Sequence, residues 1–322
     1  MPVSPDPAAV QQPPSGAWDS AYHAPVLVDD VLRLLAGAGR VLDGTLGGGG
    51  HSAALLAAGA EVDATDRDAR ALEVARARLA DYERDGRFHA HLANYADAPT
   101  LPELEGVRFD GVLLDLGISS HQIDDPARGF TFREGAPLDM RMGDEDGTAA
   151  DLLNDADERE LARVFREYGD EPKAGRLARE VVRRRGNRPF ATSDDFVGAI
   201  RGALGARTGP GDFARLFQAV RIAVNAELPR LEEALPALRD LLAPGGVIAV
   251  IAYHSGEDRL VKHAFREWSL DCVCPPKMLH CTCRGRALGE TLTRKAVVAS
   301  DDETRRNPRA RSARLRAWRR GP

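Results

Sequence analysis

One stretch constrains this chain more than any other: Val41-Leu42-Asp43-Gly44-Thr45-Leu46-Gly47-Gly48-Gly49-Gly50-His51-Ser52. An apolar run ends in an acid, a glycine cluster follows, and an Ala/Leu-rich helical pattern comes next. Strand, glycine turn and helix in that order open a nucleotide-binding α/β unit. Glycine lets the backbone take φ > 0 and approach a ligand closely. The helix N-terminus behind it offers N–H groups that lack intrahelical partners. A second strand, Glu61-Val62-Asp63-Ala64-Thr65-Asp66, then ends in Asp66. An acid about 20 residues past the glycines is the expected ribose-hydroxyl ligand of such folds.

The loop fits the hydride-cofactor fingerprint G-x-G-x-x-G poorly. It fits better the acid-x-Gly-x-Gly-x-Gly pattern of S-adenosylmethionine enzymes. Asp43, Gly47 and Gly49 match, and Thr45 replaces the first glycine. That cofactor has no pyrophosphate, so the loop need not wrap one. A glycine turn without a ligand is the alternative; the strand, the glycine run and the downstream acid argue together against it.

The 322 residues allow one large domain or two. Hydrophobic residues make up 43%, enough for a sizeable core. The net charge of −5 does not advertise nucleic-acid binding, although the arginines cluster. No apolar run approaches the roughly 20 residues of a membrane span, and the N-terminus has no signal pattern. The expected location is the cytoplasm.

Residues 1–20 are rich in Pro, Ser, Gln and Ala and are expected to be a disordered lead-in. A helix follows over Val28, Val31, Leu32 and Leu35. Residues 69–82 read as another helix, Phe88–Leu92 as a third strand and Phe109-Asp110-Gly111-Val112-Leu113-Leu114-Asp115-Leu116-Gly117 as a fourth that runs into a loop, nearly continuous and apolar as a buried parallel strand should be. Asp66, Tyr95 and Asp115 then lie beyond the carboxyl ends of their strands, where open α/β sheets bind ligands. From Asp151 to about Leu216 only helical patterns occur, among them a basic helix carrying Arg176, Arg179, Arg183, Arg184 and Arg185. Thr192-Ser193-Asp194-Asp195 can cap the next helix. A helix from Pro229 to Leu242, a Pro244-Gly245-Gly246 turn and an apolar strand from Val247 to Ala252 resume the α/β pattern. The expected organisation is a methyltransferase part over 21–145, an inserted helical domain over 146–216 and a second methyltransferase part over 217–322 with a basic C-terminal segment.

The joint set of motifs resembles the ribosomal RNA small subunit methyltransferase H family, bacterial enzymes that methylate N4 of a cytidine in 16S rRNA. It comprises His23-Ala24-Pro25-Val26-Leu27, the glycine loop, Asp66-Arg67-Asp68, Asp115-Leu116-Gly117-Ile118-Ser119-Ser120-His121-Gln122 and Arg128-Gly129-Phe130-Thr131-Phe132. Pro137-Leu138-Asp139-Met140-Arg141-Met142, Gln218–Leu228, Tyr253-His254-Ser255-Gly256-Glu257-Asp258-Arg259 and Asn307-Pro308-Arg309-Ala310-Arg311-Ser312 complete it. The glycine loop alone is weakly specific; the ordered set is highly specific. The resemblance implies an α/β, Rossmann-like class I S-adenosylmethionine-dependent methyltransferase sheet with an inserted small helical domain. It implies S-adenosylmethionine as cofactor, with contacts at Gly49, Gly50, His51, Asp66, Tyr95, Asp115 and Gln122, and 16S rRNA of the small ribosomal subunit as partner.

Methylating an exocyclic amine is mainly a positioning problem. Other amino-methyltransferases hold the amine with a Ser/Asp/Asn-Pro-Pro-aromatic motif after the fourth strand. This chain lacks those prolines, so Asp139, Asn225 and His254, with Ser119 behind them, become the candidates, each equally able to serve a capping or buried structural role. The arginines between 305 and 320, with Trp318 among them, suit phosphate contact and base stacking; the basic helix of the inserted domain is the better candidate for touching RNA. Cys272, Cys274, Cys281 and Cys283 form two C-x-C pairs within reach of one tetrahedral zinc, but the usual spacing is C-x₂₋₄-C. Free thiols in a loop are therefore expected, and no metal site. The other readings are an amino-methyltransferase acting on DNA, another RNA or a small molecule, and a non-catalytic RNA-binding protein with this fold.

Overall fold

The computed structural model describes Trp18 and residues 25–322 apart from 120, 121, 124, 144–146, 206, 276, 277 and 279. The expected disordered lead-in over 1–20 lies outside the described residues except for Trp18, as do His23, Ala24, Ser120 and His121. A sheet of seven strands carries the fold: β1 (Arg40–Asp43), β2 (Glu61–Asp66), β3 (Phe88–Leu92), β4 (Phe109–Asp115), β5 (Leu242–Ala252), β6 (Gly289–Thr291) and β7 (Arg314–Arg320). Their spatial order is β3-β2-β1-β4-β5-β7-β6. Strands β1 to β5 pair in parallel, and β7 runs antiparallel to both β5 and β6. The order reverses beside β1, and the crevice at such a switch point is where open α/β sheets bind ligands.

Strands β2 and β3 have the limits read from the sequence. The expected Pro244-Gly245-Gly246 turn is instead a bulge inside β5: Leu242 pairs with Phe109 and Val247 with Gly111. The extra residues fit because Gly245 takes φ 80°, a left-handed conformation that glycine adopts without steric cost. Leu113, Leu114 and Ile248–Ile251 are fully buried, as central parallel strands covered on both faces must be.

The C-terminal segment needs correction. Residues 314–320 of the expected basic C-terminal segment are a strand within the sheet. Trp318 has no exposed surface and packs edge-on against Trp268, with Nε1 donating to Ser269 Oγ at 3.1 Å. It is a core residue and offers no base a stacking face. Arg316 is buried and donates to Asp258 from Nε at 2.6 Å and Nη2 at 3.2 Å. Arg320 donates to the carbonyl of Leu242. Buried charge is tolerated here because each guanidinium has an acceptor.

Helices α1 (Val28–Leu34), α2 (Gly50–Ala57), α3 (Ala69–Arg78), α4 (Ala80–Arg84), α5 (Ala149–Asp155), α6 (Glu158–Glu167), α7 (Ala174–Arg185), α8 (Ser193–Leu204), α9 (Pro210–Val224), α10 (Glu227–Leu241), α11 (Ser255–Trp268) and α12 (Asp301–Arg306) complete the elements used below. Helices α5 to α9 surround an apolar core of their own, centred on Leu161, Phe165, Phe196 and Phe217 and reaching back to Leu138 and Met140. The last of them runs to Val224, beyond the expected boundary at 216. The expected cap at the start of α8 is present, with Asp195 accepting from the Thr192 N–H at 3.0 Å. Among the described residues, no helix is long and apolar enough to cross a membrane.

Candidate active site

Three strands deliver acids to one edge of the sheet. Asp43 ends β1, Asp66 ends β2 and Asp115 ends β4. Asp43 serves the scaffold: its carboxylate accepts from Ser52 Oγ at 2.7 Å and from the Thr45 N–H at 3.1 Å, pinning the glycine turn to α2. Burial raises its pKa. Thr45, which replaces a glycine of the motif, accepts from the Asp115 N–H through Oγ1 at 2.6 Å and so joins the turn to β4. Gly44 is required by packing, since a Cβ there would lie 2.5 Å from Leu114 and 2.9 Å from Tyr95.

Beyond these strand ends opens a cleft of about 1090 Å³, partly open to solvent, whose floor is the glycine turn. Of the expected cofactor residues, Gly50, His51, Asp66, Tyr95, Asp115 and Gln122 line it. Gly49 is not among the lining residues. It caps α2 with φ 73° and turns toward Ala75 and Leu79, so its contribution is backbone conformation. Gly47 lines the cleft instead, at φ 51° with open space where a side chain would stand.

Asp66 holds the turn and still faces the cleft. Oδ2 accepts from the Gly47 N–H at 2.8 Å and Oδ1 from the Asp68 N–H at 2.9 Å. Burial pushes its pKa up to about 6, against the two backbone donors. Asp115 is also pushed up to about 6 by burial; His51 and the Tyr253 hydroxyl counteract this. That hydroxyl donates to Asp115 Oδ1 at 2.8 Å, and His51 Nδ1 lies 3.6 Å from Oδ2. His51 Nε2 donates to the Val26 carbonyl at 2.9 Å, which fixes the ring. Gln122 donates to Asp68 Oδ2 at 2.9 Å and accepts from the Ser119 N–H at 3.0 Å, so its amide ties the loop after β4 to the start of α3. Arg128 donates to the same Asp68 oxygen at 2.9 Å.

The three expected amine-holding residues are not brought together in the cleft. Asn225 lines it, fully buried, but its amide is spent on backbone: Oδ1 accepts from the Met142 N–H at 2.9 Å, and Nδ2 donates to the carbonyls of Met140 at 2.8 Å and Arg221 at 2.9 Å. Asp139 is not among the lining residues. Its carboxylate takes a two-pronged contact from Arg141, Nε at 2.9 Å and Nη2 at 2.8 Å, plus the Arg141 N–H at 3.0 Å. Partial burial opposes ionisation, but Arg141 outweighs it and holds the Asp139 carboxyl below its usual pKa. His254 caps α11, with Nδ1 accepting from the Glu257 N–H at 3.4 Å, and also stands outside the lining. Ser119 lines the cleft.

Several lining residues had no role assigned from sequence: Arg67, Glu227, Arg230, Tyr253 and Glu257. Tyr253 and Glu257 follow the end of β5, and their position just past an apolar strand was the available signal. Burial alone would raise the Glu257 carboxyl, but donors from His254 and the Tyr253 N–H bring it below its usual value. Glu227 is gripped by Arg221 through two contacts of 2.8 Å. That pairing joins residues on either side of Ala226, whose φ of 49° turns α9 into α10.

The strand order, the antiparallel β7, the glycine turn and the acid at the end of β2 define a class I methyltransferase. The chain belongs to the MraW methylase family, whose profile matches residues 20–321. It is 63% identical over 311 residues to a ribosomal RNA small subunit methyltransferase H of Gemmatimonas aurantiaca, covering 96% of this chain and 98% of that one. It is 48% identical over 301 residues to the protein of that name in Anaeromyxobacter dehalogenans, covering 92% and 96%. With the Heliobacterium modesticaldum protein of that name the identity is 46% over 306 residues, covering 92% and 97%.

Proposed function

We propose that this chain transfers a methyl group from S-adenosylmethionine to the exocyclic N4 amine of a cytidine in 16S rRNA, on the small ribosomal subunit in the cytoplasm. The single observation that carries the reading is the cleft where Asp66, Tyr95 and Asp115 meet over the glycine turn, in a chain 63% identical to a ribosomal RNA small subunit methyltransferase H. The donor set fits the cofactor. Asp66 offers carboxylate oxygens to a ribose diol, Tyr95 an amphipathic ring to adenine, and Gly47 leaves backbone exposed to the methionyl portion. Asp115 supplies negative charge toward a cationic ligand. When bound, the cofactor supplies an electrophilic methyl on a sulfonium.

The protein's own task is to hold the amine in line and shield it from water. Ser119 and the loop from Leu116 to Ser119 form the wall where the absent Pro-Pro motif would stand. Asn225 and Asp139 act on the 139–142 loop as positioning residues, Asn225 through three backbone contacts and Asp139 through Arg141. His254 positions the Tyr253–Glu257 turn in the same way. Charge development on nitrogen is favoured by the acids nearby, the electrostatic term that is often largest. The inserted helices present the exposed Arg176, Arg179 and Arg183 for phosphate contact.

Labelled methyl transfer onto small subunits, naked 16S rRNA and duplex DNA tests the reading. Label on small subunits or rRNA and none on DNA is expected. Label on DNA alone would assign the enzyme to another substrate, and no label on any of them, with cofactor bound, would favour the RNA-binding alternative.

A further inference from the structure

The connection from α11 to β6 is longer than the roughly 12–15 residues usual for a loop without secondary structure of its own. It contains all four cysteines of the chain. Their sulfurs converge: every pair lies within 4.8 Å. Cys272–Cys281 and Cys272–Cys283 are separated by 3.8 Å, Cys274–Cys281 by 3.9 Å and Cys281–Cys283 by 3.4 Å. A tetrahedron of thiolates at a zinc–sulfur distance of about 2.3 Å has edges of about 3.8 Å. A disulfide needs about 2.05 Å, far shorter than any of these contacts. A polynuclear iron–sulfur cluster would hold its cysteine sulfurs farther apart than a single ion does.

The backbone around the sulfurs is arranged to match. The Val273 N–H, inside the first C-x-C pair, donates to Cys283 Sγ at 3.4 Å. The Thr282 N–H, inside the second, donates to Cys274 Sγ at 3.4 Å. Each pair thus supports a sulfur of the other, and such donors favour the thiolate, which is the metal-binding form. The base of the loop is closed by the Leu288 N–H donating to the Trp268 carbonyl at 2.8 Å. Arg284, directly after the second pair, donates to the carbonyls of Glu267 and Leu270 at the end of α11. The narrow C-x-C spacing that argued against a metal is thereby answered: two short arms from opposite ends of one loop supply two sulfurs each.

We propose that Cys272, Cys274, Cys281 and Cys283 bind one Zn²⁺ in a closed tetrahedral site that orders the connection between α11 and β6. Binding exchanges the thiol protons for the metal, so no redox step is involved. With all four positions filled by protein the ion has no open coordination site, and its role is structural, apart from the methyl-transfer cleft.

The test uses the full chain, purified without added metal or chelator. Elemental analysis is expected to find close to one zinc per chain. Stripping the metal and adding Co²⁺ alone should produce visible ligand-field absorption and a sulfur-to-cobalt charge-transfer band, with release of protons. Cys272→Ser and Cys281→Ser should each lose zinc while retaining cofactor binding, which separates failure of the site from failure of the fold. In the native protein a thiol reagent should react slowly until a chelator is added, and proteolysis in residues 269–288 should accelerate at the same point. Four thiols that react rapidly without chelator in a metal-free folded protein would overturn the proposal. So would a native mass showing disulfides, or a cobalt spectrum without the sulfur band.

Discussion

Replacing Asp66 by Asn should weaken cofactor binding by an amount the geometry allows to be worked out. The carboxylate both holds the glycine turn and faces the cleft, with its oxygens accepting from the N–H groups of Gly47 at 2.8 Å and Asp68 at 2.9 Å. An amide cannot reproduce this: whichever way it lies, its NH₂ meets one of those N–H donors. That mismatch acts on the turn itself; in the complex the ribose also exchanges a charged acceptor for a neutral one, and losing a hydrogen bond to a charged group costs about 1.5–3 kcal/mol, a rise in Kd of roughly ten- to 150-fold. Acidity supplies a second readout. Asp66 and Asp115 both titrate at about 6. A cationic ligand prefers their ionised forms, so at pH 5 each group, about 90% protonated, should cost wild-type affinity roughly tenfold relative to pH 7.5. The Asp66→Asn variant should lose about one of those two factors. For the protein without cofactor the sign is opposite. A raised carboxyl pKa contributes stability that is present below about pH 4 and lost as pH rises through about 6. Calorimetric titration of the folded variant with S-adenosylmethionine at both pH values is the assay. Unchanged affinity at pH 7.5, or an undiminished pH dependence, would refute the assignment of Asp66 to the ligand.

Charge reversal at Arg176, Arg179 and Arg183 together should weaken binding to 16S rRNA or small subunits and flatten its salt dependence, with cofactor affinity unchanged; an unaltered slope in a filter-binding series would mark the helix as a solvated face. Arg185 should be kept intact in that experiment, because it donates to the carbonyls of Leu153 and Ala156 and its loss would act on stability. Asn225→Ala should lower the melting temperature, with roughly 1–3 kcal/mol lost for each buried backbone group left unpaired, and should reduce turnover more than cofactor affinity. Trp318→Ala should cost about 3–5 kcal/mol in denaturant unfolding; a fully stable variant with weakened RNA binding would contradict its place in the core.

The sequence was most legible where one local rule decided the structure. The glycine turn, the ends of β2 and β3 and the cap before α8 each depend on residues a few positions apart. The C-terminal strand was obscured because its partners are distant: Arg316 finds Asp258 and Trp318 finds Trp268 only once the chain has folded. Read alone, that segment is a run of arginines; the buried Leu315, Ala317 and Trp318 between them are what make it a strand. Asp139 had a partner that its apolar neighbours did not suggest. A carboxylate flanked by apolar residues suggested a chemical task, whereas its partner was Arg141, two positions away. Asn225 lines the cleft, and its contacts with Met140 and Met142 come from a distant loop that no spacing rule could supply. The cysteine pairs failed a spacing rule and met the geometric one.

The central claim is N4 methylation of a cytidine in 16S rRNA, and the product nucleoside tests it most directly. Small subunits incubated with the purified chain and labelled S-adenosylmethionine would be digested to nucleosides and analysed by mass spectrometry against synthetic standards. The account predicts label in N4-methylcytidine, derived from the 16S rRNA and lost in the Asp66→Asn variant at limiting cofactor. Label in a ring-carbon methylcytidine, in a methylated adenosine or in a 2′-O-methyl nucleoside would contradict it.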